Sequence, residues 1–170
     1  MKYIIIPIPG LTSLVGLPSL SSLSSLSSLP SLPSLSSLPS LPSLPSLPST
    51  ESTESLVNEI TFLIGQNAQE NHDILDMARP DDIWIHAHNH TSCHVVAQIP
   101  DVVLHIQNSK TRRHILKRIA KQGAVLCKRF SKQHANAKKV EIMHRVAKHV
   151  EKTSTPGEVR IHGDATIVVI

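Results

Sequence analysis

The chain has 170 residues and a formal charge of +4, and aromatics fill only 2% of positions, so any core must be aliphatic. Two cysteines, Cys93 and Cys127, exclude a disulfide framework and point to a reducing, cytoplasmic setting. The charge is uneven: acids dominate from Glu51 to Asp101, where Arg79 is the lone base, whereas Lys110 to Lys148 holds many cations and one acid, Glu141. Such a division draws a polyanion to one half of a domain and repels it from the other.

In chain order, residues 1–10 form a short apolar start that Pro7 and Pro9 interrupt, so no secretory signal is expected. No stretch reaches the ~18 apolar residues of a membrane span, and no membrane partner is expected. From Leu11 to Leu47, Leu recurs at every third position with Ser or Pro between. Period three fits polyproline II, not a helix or a strand, and one narrow Leu edge cannot offset the entropy of ordering it. Residues 1–56 are therefore predicted to be a disordered, low-complexity segment and linker, with a protein partner for the Leu edge as the functional alternative. Residues 57–170 suit one small domain.

That domain is predicted to open with a strand, Glu59 to Ile64, ended by Gly65. A helix follows from Asn67 to Ala78, with Asn67 as its N-cap and Glu70 completing a capping-box-like pair. Strands are predicted at Asp82–Ala87 and His94–Ile99. A long segment after Pro100 has helical spacing: Ile115, Ile119, Leu126 and Cys127 face inward, while Arg112, Arg113, Lys117, Arg118, Lys121, Lys128 and Arg129 face out. A strand at Lys139–His144 and a closing hairpin of residues 158–161 and 166–170 complete the chain. Strands and helices mix without regular alternation, so the expected class is α+β: a largely antiparallel sheet with two main helices.

Three sets of residues carry possible chemistry. Trp84 and His86 share the strand face opposite Ile83 and Ile85, where they either stack on a base or anchor a core. The crowd of His86, His88, His90, Cys93 and His94 invites a metal reading, and with it a metal-dependent hydrolase. Against that reading, Thr91 and Ser92 interrupt a continuous strand, and no carboxylate lies among the histidines to support them. The cations Arg112, Arg113, Lys117, Lys121, Lys128, Arg129, Lys132, Lys138 and Lys139 suit a phosphate backbone, because Asp and Glu are absent from Ser109 to Val140 and cannot compensate them. Phosphate loops, GxSxG, HExxH and paired catalytic carboxylates are absent, so neither an enzyme nor a cofactor is expected.

The pattern Gly65-x-Asn67-x-x-x-Asn71, then Asp82-x-Trp84-x-His86, then Ser92-x-His94-Val95, resembles the NFACT-R domain of ribosome-quality-control factors and smaller stand-alone proteins. Pro156-Gly157-Glu158-Val159 is similar to that family's turn before its last hairpin. The resemblance implies an RNA-binding module without catalysis of its own, contacting tRNA or the ribosome in translation. Asn67 and Asn71 belong to its motif, and their alternative role is capping and strand-end bonding. The chain departs from the family where Ile85 replaces an aromatic, where Thr91 and Cys93 replace parts of a Pro-Gly-Ser-His turn, and where Ile142-Met143-His144 lacks a Tyr. Fewer aromatics imply a weaker stacking surface.

Overall fold

The structure, a computed structural model, describes residues 1–8 and 59–170. The predicted disorder of the Leu/Ser/Pro tract, and its possible protein partner, lie outside the described residues.

Among the described residues, eight strands and three α-helices follow in order: β1 Lys2–Pro7, β2 Glu59–Ile64, α1 Ala68–Asp76, β3 Ile83–Ala87, β4 Val95–Gln98, α2 Asp101–Leu104, α3 Ser109–Phe130, β5 Glu141–Val146, β6 Val150–Lys152, β7 Val159–Ile161 and β8 Thr166–Val169. Six strands make one sheet in the order β1-β2-β4-β3-β5-β8, and β6 and β7 make a separate ribbon. All pairings are antiparallel. The α+β class expected from the sequence is what forms.

Alternation of side chains along the strands divides the sheet into two faces. One face presents Ile60, Phe62, Ile64, Ile83, Ile85, Val95, Ala97 and Ile142 to Ile115, Ile119, Ala124 and Cys127 of α3, and these form the larger core. Gly123 makes this contact possible: a Cβ there would collide with the Ile85 side chain, so the glycine lets α3 lie directly on β3. The other face holds a smaller core of Leu63, Trp84 and Val96 under Ile74 of α1. Trp84 is fully buried. It is the core anchor of this face and not a stacking platform, and truncating a side chain of that size costs about 3–5 kcal/mol.

The helix ends follow local chemistry. The Asn67 side chain caps α1 by accepting from the Glu70 backbone N–H at 2.9 Å, and the Glu70 carboxylate accepts from the Gln66 N–H at 2.9 Å. Asn108 caps α3 by accepting from the backbone of Lys110 and Thr111. That cap separates α3 from the short α2, which the sequence pattern merged into one helical segment.

Two expectations need correction. The first concerns residues 1–8, assigned with the tract: β1 pairs with β2 over all six of its residues, and Ile8 is buried in the main core. Alternating Ile4 and Ile6 pack on the α3 face, so an apolar run too short for a membrane still completes a sheet edge. The second concerns the closing hairpin. β7 pairs with β6, and β8 pairs with β5, so residues 158–161 and 166–170 do not pair with each other. Between them, Gly163 takes φ 73° and the Arg145 guanidinium donates to the carbonyls of His162 and Asp164, which turns the chain from the ribbon to the sheet edge. Among the described residues, no helix is long and apolar enough to cross a membrane.

A chain starting at Pro9 tests the role of β1. Burial of Ile8 alone is worth about 1.5–3 kcal/mol, so urea unfolding should show a stability loss of at least about 2 kcal/mol against the full chain. Equal stability would mean that β1 contributes nothing to the fold.

Candidate nucleic-acid interface

The eight predicted motif residues divide by what they touch, and most of them hold the backbone. Asp82 is fully buried and accepts from the backbone N–H of Arg79 (2.8 Å) and Ile99 (2.8 Å), fastening the turn before β3 to the end of β4. Asn71 accepts from the His94 N–H at 2.9 Å and donates its amide N–H to the Ser92 carbonyl at 3.4 Å. Gly65 donates its N–H to the His94 carbonyl at 3.0 Å, and a side chain at Gly65 would strike Asn71. Ser92 Oγ accepts from the Ala87 N–H and donates to the Cys93 carbonyl, closing the loop between β3 and β4. These bonds satisfy backbone groups at strand ends that would otherwise be left buried and unpaired.

Trp84, His86 and His94 form one aromatic cluster. The His86 ring stacks on the indole at 5.5 Å between centroids, and His94 meets both edge-on at 5.3 and 4.8 Å. Burial pushes the His86 imidazole down to about 4; burial, and then the neighbouring His86, push His94 down to about 3. Both rings are neutral at physiological pH.

The remaining histidines do not join them. His90 lies against His134 at 5.4 Å, and the His88 N–H donates to the Glu141 carbonyl. Cys93 instead pairs with Cys127: each thiol donates to the other's backbone carbonyl, at 3.4 and 3.5 Å. The adjacent Cys93 sulfur, with burial, pushes the Cys127 thiol up, away from the thiolate form a metal prefers. Among the described residues, no three His, Cys, Asp or Glu side chains are grouped to hold a metal ion. The contiguous sequence cluster is thus divided among separate neighbours.

A cleft of about 1090 Å³ opens where α1 begins, the β3–β4 loop turns and α3 ends. His86 and Met143 of the sheet line it, with Gln66, Asn67 and Asn71 on one wall and Phe130, Lys132 and Gln133 on another. Pro156, Gly157 and Glu158 close a third side. The family-like turn therefore sits against the start of α1, with Gly157 packed on Ala68 beside Asn67, although nearly ninety residues separate them in the sequence.

The predicted cations are dispersed by the fold. Arg113, Lys117 and Lys121 recur every fourth residue and are exposed on the outer side of α3, about 6 Å apart along its axis. Arg129, Lys132, Lys138 and Lys139 are exposed around and beyond its C-terminal end. Two predicted contacts turn inward: Arg112 donates to the carbonyls of Leu104 and Ile106, and the Lys128 ammonium to that of Ile170. Among the described residues, no ion pair involves any cation from Ser109 to Lys139. Sequence reasoning missed Lys2, whose ammonium lies 4.9 Å from the centre of the Phe130 ring, and Phe130 itself. No local pattern marks either one, since the pair forms only when β1 closes the sheet.

These features define a small α+β module with exposed cations on its main helix and a polar-walled cleft at the end of that helix. A family model described as the NFACT protein RNA binding domain matches residues 52–168, and the chain belongs to that family. Among solved structures, it is similar to the C-terminal part of the fibronectin/fibrinogen-binding protein from Streptococcus suis, with 22% identity and a TM-score of 0.50. That match covers 65% of this chain and 40% of the other, so the likeness is one of fold and this chain spans less than half of that structure. No curated protein matches.

The buried imidazoles give a pH prediction. Their folded-state values lie below the ordinary 6.5, so the unfolded chain binds more protons as pH falls below 6.5 and stability falls with it. By pH 5 each ring should have cost about 2 kcal/mol. Urea unfolding at pH 7 and pH 5 should show this loss, and His94→Asn should remove roughly half of the pH-dependent part. A pH-independent midpoint over this range would contradict the burial of both rings.

Proposed function

We propose that this chain is an RNA-binding module without catalytic activity of its own, acting on tRNA or ribosome-associated RNA in the cytoplasm. The observation that carries the reading is the row of exposed cations on α3, unmatched by any carboxylate among the described residues. Family membership supports it, because the family is defined as RNA binding. Self-repulsion of such a row destabilises the free protein, and a phosphate backbone relieves it while releasing counterions. Glu70, Asp73 and Asp76 lie on α1, on the other face of the sheet from α3, which disfavours that helix as a phosphate track. The translational role rests on the family resemblance.

The test is RNA affinity against salt concentration. Each phosphate contact contributes about 0.7 to 0.9 to the slope, so Arg113→Glu, Lys117→Glu and Lys121→Glu together should flatten it by about 2 and weaken binding to all sequences alike. Arg112→Glu serves as a contrast, since Arg112 already bonds to carbonyls and should affect stability more than the slope. An unchanged slope in the triple variant would remove α3 from the interface.

A further inference from the structure

We propose that the cleft at the C-terminal end of α3 receives an unpaired base of the bound RNA, with His86 and Phe130 as its ring contacts and Lys2 and Lys132 holding the adjoining phosphates. The inference rests on the RNA reading above and adds to it the part of the ligand that leaves the cationic track.

Four observations converge. The cleft, at about 1090 Å³, lies just above the ~300–1,000 Å³ range typical of small-ligand sites, and so is roomy for one nucleotide. Its floor is a planar imidazole already stacked on Trp84, so a base placed there extends an existing stack onto a rigid support. Its rim is polarised. Lys2 and Arg129 lie 4.9 and 5.9 Å from the centre of the Phe130 ring, whereas the acid on the opposite rim, Glu158, accepts from Thr153 Oγ1 at 3.2 Å. Finally, Arg129 and Lys132 are exposed at the C-terminal end of α3, so a strand leaving Arg113, Lys117 and Lys121 of the same helix meets further cations beside the cleft.

A paired stem does not meet these requirements, because its bases are stacked on one another and its surface offers riboses and phosphates. The neutral state of His86 suits an apolar stacking contact and adds no charge at the floor.

The experiment compares a blunt RNA duplex with the same duplex bearing a short unpaired 3′ tail, by fluorescence anisotropy on the full chain. The tail should tighten binding at least about 5-fold, the value of one stacked base. Phe130→Ala and the cleft-filling Gln66→Trp should each abolish that gain while leaving blunt-duplex affinity and its salt slope unchanged. Cooperative urea unfolding followed by far-ultraviolet circular dichroism reports that both variants fold. A tail that adds nothing, or a gain that survives both folded variants, overturns the base site while leaving the phosphate track standing. A peptide-binding cleft would give the same result. Failure to bind either RNA overturns the RNA reading and this proposal with it.

Discussion

His94 ties together three parts of the molecule through its backbone and its ring. Its N–H donates to Asn71 on α1, its carbonyl accepts from Gly65 at the end of β2, and its ring meets both Trp84 and His86 edge-on. Helix, sheet and cleft floor therefore meet at one residue, whose imidazole is buried and neutral. Protonating it would place a charge in the smaller core, and widening Gly65 would push Asn71 away from it. The position of α1 over the sheet, and so the wall of the cleft, depends on this arrangement.

Support and contact are divided accordingly. Asp82, Trp84, Asn71 and His94 are buried, and what they provide is placement. His86 alone of the aromatic cluster lines the cleft, resting on an indole that cannot itself reach a ligand. The exposed cations supply long-range attraction that is indifferent to sequence. A cleft at the end of a charged track adds what charge lacks, a means to distinguish paired from unpaired RNA.

Much of this was legible in the sequence, for identifiable reasons. Alternating Ile83 and Ile85 placed Trp84 and His86 on one face, and the Asn67 cap was correct because an N-cap is a local event of three or four residues. Non-local events were not legible. The strand β1 is separated from its partner by the whole Leu/Ser/Pro tract, so nothing adjacent to Ile4 and Ile6 announced a sheet edge. Residues 158–161 and 166–170 read as a hairpin by proximity, yet Arg145 and Gly163 divert the chain between two sheets. Among the cations, Arg112 and Lys128 resembled their neighbours in sequence, and only the carbonyls of Leu104 and Ile170 distinguish them. For the histidines, the break that Thr91 and Ser92 announced comes earlier, at Ala87, and residues two apart in a strand share a face only while the strand continues.

The central claim is that buried motif residues position a cleft while exposed groups make contact. Residue-resolved NMR of the protein titrated with a partly single-stranded RNA tests it most directly. The account predicts shifts along the outer side of α3, at Phe130 to Gln133 and in the β3–β4 loop, with the Trp84 indole and the His94 ring little changed. Shifts centred on Trp84 and His94, or on the acidic surface of α1 with α3 silent, would contradict it.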